Sequence, residues 1–141
     1  MSPGEELTAD DYRHLAEFRR QIRQFVSFSE GMARQHGIEP KQHQLLLTLK
    51  GLPENVNPTI GELASRLFVQ HHSAVELVNR LVKTGFVVRV PGKQDKREVW
   101  LRMTPAGAAL LRKLSLAHRM ELKRSGPDLA KALNLAIRNS R

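Results

Sequence analysis

The sequence predicts a mainly α (α+β) fold with about six helices and one two-stranded β hairpin. Three observations carry this. Apolar residues recur at alternating spacings of three and four through most of the 141 residues. Only residues 86–90 and 99–103 depart from that period, as two short β-branched runs either side of a charged Pro-Gly loop. Glycine and proline cluster between the periodic segments, at Gly37, Pro40, Gly51, Pro58, Gly85, Gly126 and Pro127.

Residues 8–36 place Tyr12, Leu15, Phe18, Ile22, Phe25, Ser29 and Met32 along one stripe of a long helix. Thr8 and Asp11 have the spacing of a capping pair. A stripe this long suits a helix–helix interface as well as ordinary core packing. Gly37 and Pro40 stop this helix and start the next, residues 40–50, in which Leu45, Leu46, Leu47 and Leu49 crowd together as a mostly buried segment. A loop with two prolines, Pro53 and Pro58, follows. Thr59 and Glu62 read as a reciprocal capping box for a short third helix carrying Ile60, Leu63, Ala64 and Leu67. Residues 68–70 are a turn. A fourth helix from His71 to about Thr84 turns Ala74, Leu77, Val78 and Leu81 inward and His71, His72, Ser73, Glu76, Asn79, Arg80 and Lys83 outward.

The hairpin loop holds Lys93, Asp95, Lys96 and Arg97, with Arg89 at its base. Thr104 and Pro105 open a fifth helix that reaches about Lys123, through Leu110, Leu111, Leu114 and Ala117. Residues 125–128 are expected to break it and to start a sixth at about 128–139.

Composition narrows the function. Net charge is +9 and the sequence pI about 10.7, which favours a polyanionic partner. The charge is uneven: residues 59–104 hold eight Lys and Arg against four carboxylates, and residues 105–141 hold eight against two. Absence of cysteine excludes disulfides, cysteine-zinc sites and thiol redox sensing within the chain. No apolar run approaches the roughly 18 residues of a membrane span, and the start is acidic (Glu5, Glu6, Asp10, Asp11) rather than signal-like, so the expected compartment is the cytoplasm. The six histidines show no metal-ligand spacing, and no metal or cofactor is expected. Lys83-Thr84-Gly85 lacks a companion Ser-x-x-Lys, and no nucleophile–base–acid set is present; no catalytic residue is assigned and the chain is not expected to be an enzyme.

Residues 58–104 thus read as helix, turn, helix and hairpin, a device for placing one helix in a DNA groove. The first turn of the second of these helices offers Gln70, His71, His72 and Ser73 to base edges. Glu76 can accept from a cytosine amino group, and Arg80 suits a phosphate. In the hairpin, Arg89, Lys93, Lys96 and Arg97 supply charge, and a tip arginine fits the minor groove. Asp95 pairs with Arg97 and fixes its direction. A polar surface helix and a plain charged turn would show the same residue types.

The stretch GELASRLFVQHHSAVELVNRLVKTGFVVRVPGKQDKREVWLRMTPAGAALL resembles the winged-helix core of the MarR family of bacterial transcriptional regulators. The resemblance rests on the leucines of the third helix, VELVNRL, Lys-Thr-Gly before a valine-rich strand, Asp95-Lys96-Arg97, and the Leu-Arg-Met-Thr-Pro-Ala-Gly exit. It implies a winged helix-turn-helix with N- and C-terminal helices forming a dimerisation region. It also implies one domain over 1–141, in which 1–36 and 105–141 interlock two subunits and 40–104 meet double-stranded DNA. The implied function is a sequence-specific regulator, a ligand-responsive repressor in the bacterial nucleoid, bound as a homodimer to a pseudo-palindromic operator. Arg97 becomes the minor-groove arginine, Asp95 its support, and residues 70–76 the major-groove contacts. Small aromatic effectors are implied between the dimer helices and the winged region, where Tyr12, Phe18 and His43 are candidate contacts. The adjacent His71 and His72 and the acidic Glu76 depart from the family pattern. The alternatives are a winged-helix module for RNA or a protein partner, or a small enzyme.

Overall fold

The computed structural model describes residues 6–138. Glu5 and the expected end of the last helix at 139 lie outside them. Five helices and one hairpin are present among these residues: α1 (Ala9–Gln35), α2 (Pro40–Lys50), α3 (Ile60–Leu67), α4 (His71–Lys83), β1 (Val87–Pro91), β2 (Val99–Met103) and α5 (Pro105–Ile137).

The chain forms two compact units, one of residues 32–115 and one of residues 1–31 with 116–141. The core of the first is built from the inward stripes. Leu45 and Leu46 of α2, Leu63 of α3, Leu77, Val78 and Leu81 of α4, Val87 of β1, Leu101 of β2 and Leu114 of α5 are buried together. Leu47 is half-exposed, so α2 buries one side only. The hairpin is antiparallel, with Arg89 opposite Leu101 and Val90 opposite Trp100. The Leu101 N–H donates to the Pro58 carbonyl at 2.9 Å, and Thr59 bridges to Trp100, tying the start of α3 to β2.

Caps set most of the boundaries. Thr8 and Asp11 exchange hydrogen bonds, main-chain N–H to side-chain oxygen in both directions, at 2.8 and 3.1 Å. Gly37 takes the left-handed conformation (φ 76°) that closes α1. The Thr59 box is only half formed, contrary to expectation. Thr59 Oγ1 accepts from the Glu62 N–H at 3.2 Å, but Glu62 turns to Arg66 at 3.0 Å and the Thr59 N–H goes to the Asn57 carbonyl. An i,i+4 carboxylate–arginine pair competes for the side chain that would close the box.

The second unit contains α1 up to Gly31 and the later part of α5. His118 Nε2 lies 2.8 Å from Ser29 Oγ, with Phe25 and Phe28 edge-on to its ring at 6.0 and 5.5 Å between centroids. Glu17 accepts from Arg20 and from the buried Gln21, which hold its carboxyl at about 2.

The expected break at residues 125–128 does not occur: α5 is one helix, and the sixth helix is its last three turns. Pro127 removes one intrahelical hydrogen bond, the one owed to the Lys123 carbonyl, at a position where both residues are exposed to solvent. The Ser125 hydroxyl donates to the Glu121 carbonyl at 2.9 Å within the same turn. Beyond the proline, Ala132 is buried, and Asp128 lies near enough to Arg20 to favour its charged form. Packing of the last turns outweighs the local signal for a break. Among the described residues no helix is long and apolar enough to cross a membrane.

Candidate nucleic-acid interface

The turn between α3 and α4 is tight. The Phe68 and Val69 N–H groups donate to the carbonyls of Ser65 (3.2 Å) and Ala64 (3.1 Å), and Phe68 adopts the left-handed region at φ 56°. Glycine is the residue that enters this conformation freely. Phe68 does so with its ring 95% exposed, so no burial in its own unit compensates. Gln70 then starts α4 with extended backbone and no side-chain capping bond.

Burial of Ala74, Leu77, Val78 and Leu81 fixes how α4 is rotated. The face left over carries the residues that the sequence assigned to base edges. His71, His72 and Glu76 are exposed, as is Gln70, and Ser73 and Val75 are half-buried at its margin. Arg80 is exposed, with Nη1 4.0 Å from Glu39 Oε2, a separation too long to hold the guanidinium.

The wing is shaped by two closures. The Gly92 N–H donates to the Glu98 carbonyl at 2.9 Å, and the Glu98 N–H to the Asp95 carbonyl at 3.1 Å. Gly92 has no room for a side chain, since a Cβ there would stand 2.5 Å from the Asp95 carbonyl oxygen. Trp100 Nε1 donates to Glu98 at 3.1 Å and braces the same turn. Asp95 then accepts from the Arg97 main-chain N–H at 3.0 Å, from Nε at 3.1 Å and from Nη2 at 3.1 Å. The Arg97 side chain hydrogen bonds first, and its main-chain N–H second, hold the Asp95 carboxyl below the usual carboxylate range; the same pairing raises the Arg97 guanidinium. Arg97 remains 91% exposed on its side chain. Lys93 and Lys96 project from the same loop, exposed.

Arg89 is placed differently from the other wing cations. Its Nη2 donates to the Asn79 side-chain oxygen, which joins the middle of β1 to the exposed face of α4. Asn79 is on the outward face in the sequence but was given no role there. The signal available was a strand returning past the helix just before it, with a polar residue on each.

The effector candidates fall in both units. Tyr12 is 61% exposed on α1 and Phe18 half-buried on the same helix; His43 is buried in α2. The α2–α3–α4 region has a concavity of about 290 Å³ lined by Lys41, Gln44, Thr48, Arg66, Leu67, Val69 and Leu77, which includes none of them.

A short supporting helix, a tight turn, an exposed polar helix and a hairpin whose tip arginine is clamped define a winged helix-turn-helix protein. Residues 36–98 match the family model described as MarR family. A putative transcriptional regulatory protein for the hcr operon of Thauera aromatica is 30% identical over 101 residues, spanning 70% of this chain and 58% of that protein. AbsC, a MarR family transcriptional regulator from Streptomyces coelicolor, has the same fold, with a TM-score of 0.73 over 89% of this chain and 84% of AbsC at 18% identity. A mutant of MarR from E. coli, complexed with operator DNA, gives a TM-score of 0.57 over 79% of each chain at 24% identity. The match to the MarR family of winged helix-turn-helix transcriptional regulators thus rests on the winged region, residues 36–98. The relatives are named as regulators, not as enzymes.

Proposed function

We propose that this chain is a DNA-binding transcriptional regulator that reads double-stranded DNA as a homodimer, with the start of α4 in the major groove and Arg97 in the minor groove. The observation that supports this best is the Asp95–Arg97 clamp: a fully charged guanidinium, held by two hydrogen bonds to Asp95, with a third from the Arg97 main-chain N–H, at the tip of a narrow hairpin. Gln70, His71, His72, Ser73 and Glu76 supply the base-edge contacts, and Arg80, Arg89, Lys93 and Lys96 the phosphate contacts.

The homodimer is supported by where apolar surface is left over. Nine of the twelve large hydrophobic residues exposed among the described ones, including Met120 at 73% and Ile137 at 70%, belong to the unit of α1 and late α5. A second copy would cover them. Two-fold symmetry then sets two reading helices about 34–36 Å apart on a pseudo-palindromic operator. Repression in the cytoplasm is the regulatory mode this suits, by occlusion of a promoter. A small aromatic effector, with Tyr12, Phe18 and His43 as candidate contacts, would relieve it only by binding one spacing of the reading helices better than the other.

The test is a titration of the protein on DNA from upstream of its own gene, in excess unrelated DNA. Specific binding with a steep loss of affinity as salt rises supports the proposal. Binding no tighter than to the competitor contradicts it.

A further inference from the structure

We infer that Asn79 is a positioning residue for DNA recognition: it draws the Arg89 guanidinium onto the face of α4 and aims it at a backbone phosphate beside the groove that α4 reads. This rests on the DNA-reading function proposed above. His72, Glu76, Asn79 and Lys83 follow one another at spacings of four, three and four, so they form a single stripe on α4. All four are exposed. Arg89 reaches that stripe from β1, where it stands opposite Leu101 in the ladder, by donating from Nη2 to the Asn79 oxygen.

Arg89 and Arg97 are therefore held in different ways. Arg97 is bound along its Nε–Nη2 edge by a carboxylate of its own loop. Arg89 is bound through one nitrogen by a neutral amide of the reading helix. A guanidinium has five N–H donors in a rigid fork, so one bond to an amide oxygen leaves most of them for a phosphate. The neutral partner also leaves the full positive charge of Arg89 facing outward. Unrestrained, an exposed arginine on a strand samples many rotamers, and ordering it on binding costs affinity. Asn79 removes part of that cost and fixes the phosphate contact relative to the bases read by the same helix. It thereby couples the register of the wing to that of the reading helix.

The experiment compares wild type, Asn79→Ala, Arg89→Ala and the double variant on one specific DNA duplex, across a salt series, with melting temperature recorded for each. Asn79 and Arg89 are both exposed, so melting temperatures should agree with wild type. Asn79→Ala should weaken binding by roughly three- to tenfold. It should also lower the salt slope by about one phosphate contact, as Arg89→Ala does, although it removes no charge. The double variant should bind like Arg89→Ala alone. If Asn79→Ala keeps the wild-type affinity and slope, the inference is overturned while the DNA-reading function stands. Additive losses with an unchanged slope overturn it too, by making Asn79 a contact in its own right. Absence of specific binding by the wild-type protein removes the functional reading itself, and this inference with it.

Discussion

Asp95 accepts three hydrogen bonds from the residue two positions after it, the main-chain N–H, Nε and Nη2 of Arg97, at 3.0, 3.1 and 3.1 Å. A carboxylate at the tip of a DNA-facing loop repels phosphate, so simple charge counting expects Asp95→Ala to tighten binding. Preorganisation of the arginine expects the reverse. We predict that Asp95→Ala weakens binding to specific DNA by roughly three- to tenfold and that Arg97→Ala weakens it by more than tenfold. Anisotropy titrations of the two variants decide between the accounts, and tighter binding by Asp95→Ala rejects the clamp.

The same pair gives a titration prediction. The folded Asp95 carboxyl is held below its ordinary value of 3.8 by the Arg97 hydrogen bonds. A depressed carboxylate contributes stability that is complete above the ordinary value and lost as pH falls through the lower, folded one. The carbon-13 carboxyl titration of Asp95 should therefore have its midpoint below 3.8, moving up towards 3.8 in Arg97→Ala. Glu17 behaves alike, with a folded midpoint at about 2 against 4.5. A midpoint for Asp95 that ignores Arg97 would show that the two groups are apart in solution.

Phe68 takes a left-handed conformation with its ring almost wholly in water. Replacing it by glycine relieves the strain without loss of buried area, and Phe68→Gly should raise stability by about 0.5–1 kcal/mol in denaturant titrations. A loss of stability would mean that the ring is buried in solution, against another molecule or a second copy.

Gly107 has the opposite requirement. A Cβ there would stand 2.2 Å from the Phe86 carbonyl oxygen and 3.0 Å from Met103 Cγ, where the first turn of α5 crosses the entry to β1. Gly107→Ala should cost about 2 kcal/mol or more, because the clash is with backbone that Thr104 also anchors through its bonds to Gly85 and Phe86. A neutral effect on the melting temperature would contradict this packing.

Most of the fold was legible because burial and local signals agree. Ala74, Leu77, Val78 and Leu81 form the inward stripe of α4 in sequence and are all buried, and α2 and β2 have the expected limits. The departures are places where a neighbour outweighs a local signal. Gly126-Pro127 reads as a helix stop, yet the turns beyond it bury Ala132, and α5 continues. Glu62 has the spacing of a reciprocal cap, yet Arg66 one turn on takes its carboxylate. In the site, Asp95–Arg97 was readable because the residues are two apart. Asn79–Arg89 was not, because ten residues and a change from helix to strand separate them, and only the path of the chain brings them together.

Dimethyl sulfate protection on bound operator DNA tests the central claim most directly, because it reports guanine N7 in the major groove and adenine N3 in the minor groove at once. Protected N7 positions should cluster about one helical turn apart, with protected N3 positions beside them. Arg97→Ala should abolish the N3 protection and leave the N7 pattern in place. Absence of N7 protection, or N3 protection that persists without Arg97, would contradict the account.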